Sequence, residues 1–558
     1  MPTERASRPR GPRYADADAV DFVVVGSGAA GGVVARELSR AGLRVVVLEQ
    51  GPYLTEADFT HDELTVMQGN ALTNDVARSP QTGRRTAADT ATPRKLLVYG
   101  RAVGGGTLHF TANFWRFHEI DFVERSQKGP IAGTSFDDWP IRYADLEPYY
   151  TKVEWEVGVS GQAGASPFDP PRSRPYPMPP LPNQSPGVLL ERAARKVGWH
   201  AFPAPLAIAS VPYRGRSACQ HCGFCEFFGC EFGAKSSTLA TMIREAERTG
   251  TCEIRPNSYA HRVEHDARGR VTGVVYFDRE KRERVQRAKA VVLCANGGET
   301  PRLLLMSAST LFPHGLANSS GMVGRNLMFN GAGIGVGVFE HPVNGYRGVA
   351  VTRVVHDTYE LDPKLGLHGG GGFDFRFDTP PVMYALGSLD PEAPTWGADF
   401  KRRLREFPRT VYAFGHTTSL PVPTNDITLD PTAKDAWGQP AIRVTFREHA
   451  EDLKLYHWFR DRAVDLLDAA GAQRRWSFPI ADFPDYANPH LLGTCRMGND
   501  PGHSVVNAWH RAHDVPNLFI VDGSSFVTSG RGQPTMTIMA LAFRAADGMI
   551  RAARRNEI

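Results

Sequence analysis

The chain has 558 residues, of which 42% are hydrophobic and 22% charged, proportions typical of a globular protein. Its 64 lysines and arginines and 60 aspartates and glutamates give a net charge of +4, with no concentrated basic face or tail. These values exclude wholesale disorder and an ordinary nucleic-acid-binding protein. A chain of this length buries enough surface to fold without disulfide bonds. We therefore expect a large soluble enzyme that binds no nucleic acid.

The N-terminal residues are polar and arginine-rich, and no apolar run in the chain reaches the roughly 20 residues that a membrane helix needs. Neither an apolar leader nor a twin-arginine pair precedes the first apolar run, at 22–25. The pattern predicts a disordered tail over residues 1–14 and no transmembrane segment. It also predicts a cytoplasmic protein, unless a partner exports it.

Residues 21–51 have the pattern of a β-α-β unit. The continuous apolar run at 22–25 predicts a strand buried on both faces, and a helix follows at 33–41. A second buried strand is predicted at 44–48. Such a unit is the core of a dinucleotide-binding site.

Three glycines and one acidic residue occupy the positions that a dinucleotide-binding site requires. Gly26 permits the tight turn after the strand, Gly28 lets backbone amides reach a pyrophosphate, and Gly31 lets helix and strand pack closely. Glu49 follows the second strand and is placed to accept hydrogen bonds from a ribose diol. The unit predicts a bound dinucleotide but does not choose between FAD and NAD.

A second glycine-rich segment, 104–106, consists of three consecutive glycines. Without Cβ atoms, this backbone can lie against a flat ring system. The alternative is a glycine-rich turn that caps a strand. Beside the first motif, the segment favours FAD over NAD.

The C-terminal part carries three further motifs: Pro489-His490-Leu-Leu-Gly493-Thr-Cys495-Arg-Met-Gly498, Val521-Asp522-Gly523-Ser524 and Gln533-Pro534-Thr535. Together with the glycine motifs and a segment at 290–305, they resemble the glucose–methanol–choline (GMC) family of FAD oxidoreductases. The resemblance covers nearly the whole chain and preserves the order of the motifs. It is closest in character to the flavoprotein subunits of gluconate and sugar dehydrogenases.

The resemblance implies catalytic roles for His490 and Gln533. His490 matches the histidine beside the flavin N5, and its ordinary pKa near 6.5 suits a base that takes an alcohol proton. Gln533 stands where the family usually has histidine or asparagine. Its amide can still bond a substrate hydroxyl, although the extra methylene shifts that contact by about one C–C bond length.

The resemblance also implies the residues that bind FAD. Beside Gly26, Gly28, Gly31 and Glu49, the expected set is Gly104, Gly105, Gly106, Thr107, His109, Asn113, Val263, Asp522, Gly523 and Pro534. His109 stands in register with a histidine that some members bond to the flavin 8α-methyl. A covalent bond and simple packing beside the ring are both open.

Four of the seven cysteines fall in one short segment, at Cys219, Cys222, Cys225 and Cys230. Their spacing is too compact for two zinc knuckles and suits thiolates that hold an iron–sulfur cluster. The alternatives are a zinc ion, or reduced or disulfide-paired cysteines with a structural role. A cluster would imply a cytochrome or quinone acceptor, and the related dehydrogenase subunits imply a small partner subunit.

We expect an α/β fold, α+β overall, of the GMC type. A Rossmann-like FAD-binding domain is predicted from residues 15–135, 215–330 and 486–558. A substrate-binding domain with an antiparallel sheet is predicted from 136–214 and 331–485.

Strand patterns at 411–415, 426–430 and 441–446 predict the sheet that covers the flavin. The glycine-rich stretch 366–372 is expected near the pocket, as a lid or as a plain surface loop.

The leading functional hypothesis is an FAD-dependent dehydrogenase that oxidises a primary or secondary alcohol, such as a sugar, glycoside or polyol. Hydride would pass to flavin N5 and the electrons to an acceptor other than oxygen. One alternative is an oxidase that uses O₂ and releases hydrogen peroxide. Another is a flavin-bearing scaffold or lyase in which the flavin never cycles.

Overall fold

The structure is a computed structural model that describes residues 13–377, 379–484 and 488–558. Within those residues the α-helices are α1 (Ala29–Arg40), α2 (Glu124–Lys128), α3 (Tyr143–Val153), α4 (Ser185–Val197), α5 (Arg244–Arg248), α6 (Asn296–Met306), α7 (Pro381–Gly387), α8 (Gly397–Leu404), α9 (Ala450–Ala470) and α10 (Thr535–Arg554). The strands are β1 (Val20–Val25), β2 (Val45–Leu48), β3 (Gln81–Arg84), β4 (Thr92–Pro93), β5 (Ala201–Pro203), β6 (Cys252–Arg255), β7 (Tyr259–His265), β8 (Val271–Phe277), β9 (Glu283–Leu293), β10 (Gly331–Val338), β11 (Arg353–Val355), β12 (Gly371–Arg376), β13 (Thr410–Thr417), β14 (Asp426–Lys434), β15 (Pro440–Thr445), β16 (Arg474–Ser477) and β17 (Leu518–Ile520).

The first sheet is built around the predicted β-α-β unit. β1 lies between β2 and β9, and β6 and β17 extend this parallel core on its two sides. The first half of β9 also pairs antiparallel with β8, which pairs with β7. β2 is apolar along its whole length and buried, as is typical of a parallel strand covered on both faces. The strand–helix–strand prediction is confirmed, although α1 begins at Ala29 because the glycines of its first turn conceal the helical pattern.

A second, antiparallel sheet has the strand order β16-β10-β13-β12-β11-β5. Helix α9 crosses one face of it, over alternate residues of β10 that are all glycine. A Cβ on Gly333 would lie 2.2 Å from the backbone nitrogen of Arg460. The missing side chains therefore let α9 pack directly on the strand, and the opposite face of the sheet is left to line a site.

A third, small sheet has the order β14-β15-β3-β4, with β15 parallel to β3. Two of the three segments predicted for the sheet over the flavin, 426–430 and 441–446, lie here. That part of the prediction is wrong, and only 411–415 belongs to the six-stranded sheet, within β13. The alternating pattern was correct for a strand, but it does not encode the long-range partner, which is β3.

The strands of the two large sheets lie in different segments of the chain. The strands of the first sheet fall in the three segments predicted for the FAD-binding domain, and those of the six-stranded sheet fall in the two substrate segments. The small sheet joins the two sets. The division into domains itself stays a prediction.

The tail predicted for residues 1–14 falls almost wholly outside the described residues. Tyr14, its last residue, is anchored, since its N–H donates to Glu253 and its hydroxyl to the carbonyl of Thr251, each at 3.0 Å. No helix among the described residues is long and apolar enough to cross a membrane.

Candidate active site

The two glycine-rich loops pack against each other at the end of β1. A Cβ on Gly31 would lie 1.9 Å from the carbonyl oxygen of Gly26, so turn and helix pack as closely as the motif predicts. A Cβ on Gly105 would lie 2.7 Å from Cα of Gly28. Gly106, by contrast, has no atom within 4 Å of the place where its Cβ would stand. The loops thus interlock on one side and leave open space on the other.

Glu49 holds both loops in place. Its carboxylate accepts hydrogen bonds from Ser27 N (3.1 Å), Ser27 Oγ (2.7 Å) and Gly51 N (2.9 Å). Ser27 Oγ in turn accepts from the N–H of Gly104 at 3.0 Å, and Thr107 Oγ1 donates to the Gly104 carbonyl at 2.6 Å. Glu49 therefore has a structural role beside its predicted contact with a ribose.

The residues that come after the triple glycine carry buried polar atoms without a hydrogen-bond partner. In this part of the described chain they are Nε2 of His109, both amide atoms of Asn113 and Nε1 of Trp115. Each such atom costs roughly 1–3 kcal/mol if nothing bonds to it. A flavin ring fits this place, because its carbonyls and ring nitrogens offer partners and its flat face suits open glycine backbone. His109, Asn113 and the glycines 104–106 would hold it.

Two of the three C-terminal motifs, those that contain Gly493 and Gly523, are hydrogen-bonded to each other. The N–H of Gly493 donates to the carbonyl of Gly523 at 3.1 Å, and the N–H of Cys495 donates to that of Ser524 at 2.7 Å. A Cβ on Gly523 would lie 2.8 Å from the carbonyl oxygen of Leu491. Two motifs that are about thirty residues apart in sequence therefore form one rigid support for His490.

Three other predicted cofactor residues have partners within the protein. Asp522 accepts from the N–H of Asn296 at 3.0 Å, at the start of α6. Val263 is buried in β7, where its N–H donates to Oγ of Ser307 at 2.9 Å. Pro534 immediately precedes α10. Their contacts with a cofactor stay predictions.

His490 is partly exposed, and its backbone N–H donates to Oδ1 of Asn488 at 2.9 Å. Burial lowers its pKa to about 4, with smaller contributions from His416 and Arg376. His490 is therefore neutral near pH 7, the state in which an imidazole accepts a proton.

Gln533 lies beside a histidine that the sequence reasoning missed. Its Nε2 is 3.3 Å from Nδ1 of His416, and His416 Nε2 is 2.7 Å from Oδ2 of Asp374. Arg376 donates to both Asp374 oxygens, at 2.7 and 2.6 Å. Gln533 is thus in contact with His416, and His416 is also one of the groups that lower the pKa of His490.

The segment before Gln533 is fixed by a buried ion pair that was also not predicted. Arg531 donates to Oδ1 of Asp121 at 2.7 Å and to Oε1 of Glu124 at 2.6 Å. Tyr359 donates its hydroxyl proton to Oδ2 of Asp121 at 2.6 Å. This network ties the chain that precedes α10 to the residues after Trp115.

The four clustered cysteines are free thiols, with Cys222 exposed and the other three partly exposed. Burial raises the pKa of Cys225 to about 12; Lys235 lowers it, and the neighbouring thiols raise it further. Among the described residues, no group of three or more His, Cys, Asp or Glu side chains converges so as to hold a metal ion. A single zinc ion therefore does not fit this arrangement.

The cysteine segment wraps tightly against its surroundings. A Cβ on Gly223 would lie 2.1 Å from the carbonyl oxygen of Tyr346, and one on Gly229 would lie 2.1 Å from the ring of Phe59. Within the segment, the N–H of Phe227 donates to the carbonyl of His109 at 2.7 Å. The loop therefore lies directly against the segment that follows the triple glycine.

A cavity of about 440 Å³ opens between residues 128–132 and 361–369, with Glu451 at its edge. The glycine-rich stretch predicted near the pocket forms part of its wall and runs into β12. His368 in this wall has its pKa lowered to about 3 by burial and then by Arg531.

The interlocked glycine loops and the parallel sheet define a dinucleotide-binding α/β protein, and the polar atoms beside the loops define a flavoprotein. The family description GMC oxidoreductase matches residues 20–331 with its N-terminal model and 421–542 with its C-terminal model. The chain belongs to this family. The predicted family, fold class and enzyme class, an FAD-dependent oxidoreductase, are confirmed.

Several characterised proteins resemble the chain over nearly its full length. It is 36% identical to a 2-methyl-1,2-propanediol dehydrogenase of Mycolicibacterium austroafricanum, covering 95% of both chains. It is 31% identical to a fructose dehydrogenase large subunit of Gluconobacter japonicus (95% and 97% covered) and to a paromamine 6'-oxidase of Streptomyces fradiae (94% and 90%). A crystal structure of pyridoxine 4-oxidase has the same fold, with a TM-score of 0.64 at 18% identity and coverage of 95% and 99%.

Proposed function

We propose that the protein is an FAD-dependent dehydrogenase that oxidises the CH–OH group of a polyol, sugar or glycoside. The observation that carries this proposal is that His416, whose Nδ1 lies 3.3 Å from the Gln533 amide, also acts on His490, whose lowered pKa keeps it neutral. A base for a hydroxyl proton and an amide that can bond a substrate hydroxyl are two groups that suit such a reaction.

The residues divide the work as follows. When bound, FAD supplies the acceptor for the hydride of the substrate carbon. His490 takes the hydroxyl proton on the ring nitrogen that faces the substrate, and Gln533 bonds the substrate through its amide. Asn113 and Trp115 orient the flavin ring with their unpaired polar atoms. General-base catalysis of this kind contributes about 10²–10⁴-fold to a rate.

The substrate class is supported by what the relatives act on. The dehydrogenases and the oxidase named above take a diol, a sugar and an aminoglycoside component, which all carry several hydroxyl or amino groups.

As the electron acceptor we propose a cytochrome or quinone, reached through an iron–sulfur cluster at Cys219, Cys222, Cys225 and Cys230. An all-sulfur donor set suits such a cluster, because iron–sulfur clusters are held by cysteine thiolates. A cluster there would supply one-electron transfer. The alternative is an oxidase that reduces O₂, and the paromamine 6'-oxidase relative supports it.

The proposed function is tested by adding matched alcohols, diols and sugars to the purified holoenzyme without oxygen. Bleaching of the flavin band by members of the panel is expected. Readmission of air then separates the acceptors: peroxide formed in step with substrate supports the oxidase, and none supports the dehydrogenase. If no compound bleaches the flavin, the proposed function fails and a flavin scaffold takes its place.

Two further proposals complete this account. FAD is bonded covalently through His109, whose Nε2 lacks a protein partner and whose pKa burial lowers to about 4. The relatives that carry subunit names support a small partner subunit. A cytoplasmic location stays a prediction, with export on a partner as its alternative.

A further inference from the structure

A series of buried hydrogen bonds extends from Gln533 across the two central strands of the six-stranded sheet. It runs from Gln533 Nε2 to His416 on β13, at 3.3 Å, and from His416 to Asp374 on β12, at 2.7 Å. It ends at Arg376, also on β12. Asp374 is 0% and His416 is 5% exposed, so water does not compete for these bonds.

This series of hydrogen bonds fixes the tautomer of His416. Arg376 donates two parallel N–H bonds to Asp374, which hold it as a carboxylate that can only accept. A nitrogen 2.7 Å from such an oxygen must carry a proton, so His416 is protonated on Nε2. Nη2 of Arg376 lies 3.2 Å from the same nitrogen because both groups donate to Oδ2 of Asp374.

The tautomer in turn orients the amide of Gln533. With its proton on Nε2, neutral His416 presents a lone pair at Nδ1, which needs a donor. Only the amide nitrogen of Gln533 supplies one, because the amide oxygen would meet that lone pair and be repelled. The amide nitrogen therefore faces His416, and Oε1 faces away from it.

On the basis of the proposed function, we infer that Asp374 and His416 hold Gln533 so that its Oε1 accepts a hydrogen bond from the substrate. A hydroxyl has one proton, and the proton of the reacting hydroxyl goes to His490. The donor to Gln533 is therefore a second hydroxyl beside the reacting carbon. The enzyme selects vicinal diols and sugars over simple alcohols, and His416 is a positioning residue for this selection.

The kinetic test compares each diol or sugar with its counterpart that lacks the second hydroxyl. We expect wild type to reduce its flavin at least about tenfold more efficiently with the hydroxylated member, since a site that bonds a hydroxyl rejects the analogue without it. His416→Phe removes the acceptor at Nδ1, and Gln533→Met removes the amide. Both should reduce the ratio to below about threefold, and the double variant should lower it no further, because His416 acts through Gln533.

A second, spectroscopic experiment determines the tautomer of His416 without any substrate. In ¹⁵N-histidine-labelled holoenzyme, the His416 signals are those that disappear in His416→Phe, and we expect the shifts of an Nε2-protonated neutral ring. An Nδ1-protonated or doubly protonated ring overturns the inference. If His416→Phe does not fold or retain FAD, Gln533→Met carries the kinetic arm and His416→Gln serves for the assignment.

The outcomes separate this inference from the proposed function. Equal reduction by both members of every pair overturns the inference and leaves alcohol oxidation intact. An unchanged ratio in both variants also overturns it. If no compound of the panel reduces the flavin, the proposed function is overturned, and this inference with it.

Discussion

The backbone N–H of Phe227 donates a hydrogen bond to the carbonyl oxygen of His109 at 2.7 Å. This bond attaches the cysteine segment to the residues that would hold the flavin ring. A second contact joins the same segment to the substrate side, where Glu226 lies 3.6 Å from Arg376. The cysteine segment therefore lies beside the residues that would hold the flavin ring.

This placement predicts iron in the purified protein. If the four thiols hold a cluster, assays find iron and acid-labile sulfide, and Cys222→Ser lowers both because it removes one ligand. Cys252→Ser is the matched control, since Cys252 is buried in β6 away from the segment, and it should leave both unchanged. A clean flavin spectrum in iron-free wild type would contradict the cluster and favour the oxidase.

The environment of His109 predicts a covalent flavin. Burial keeps the ring neutral, and Nε2 has no protein partner. With FAD bound, this nitrogen would replace one hydrogen of the flavin 8α-methyl, and the flavin ring itself would accept the two electrons released. After acid precipitation we expect the yellow colour in the pellet for wild type and in the supernatant for His109→Ala. His503→Ala, at a histidine whose side chain is 79% exposed, should behave as wild type. Wild-type colour in the supernatant rules the bond out.

The lowered pKa of His490 predicts the pH dependence of the reaction. Neutral His490 is the base, so activity is present above its pKa and is lost as the pH falls through it. The acid limb of kcat/KM for flavin reduction should therefore lie near pH 4, instead of near the ordinary value of about 6.5. A limb at the ordinary value would mean that burial, the largest cause of the lowered pKa, does not act on this histidine.

Arg531 predicts a large effect on stability at a distance from the chemistry. Its side chain is 0% exposed, and Arg531→Met leaves Asp121 and Glu124 buried without their partner. Such a loss costs about 3–5 kcal/mol. Arg402→Met removes an arginine that is 72% exposed and also paired, and should change the free energy of unfolding by less than about 0.5 kcal/mol. Denaturant unfolding of both variants checks this, and equal losses would contradict it.

The elements that local chemistry dictates could be predicted from the sequence. The β-α-β unit is recognisable because the turn requires Gly26 and the close approach of the helix requires Gly31. His490 is recognisable through its motif. The backbone of that motif pairs with the motif that contains Gly523.

The partners of these residues could not be predicted, because they are distant in sequence. His416 looked like one more residue of a strand, and its role depends on Asp374 and Gln533, which are 42 and 117 positions away. One signal was available: Asp374 and Arg376 point to the same face of a buried strand, where unpaired charges are rare. No comparable feature of the sequence indicated that β15 pairs with β3.

The most direct test of the central claim is single-turnover flavin reduction in wild type and His490→Ala, measured without oxygen. The substrate is the best compound of the diol and sugar panel, and FAD content is determined in both proteins. The account predicts that His490→Ala retains its FAD and reduces it about 10²–10⁴-fold more slowly, because the hydroxyl proton has lost its acceptor. A variant that keeps most of the wild-type rate would contradict the assignment of His490 as the base.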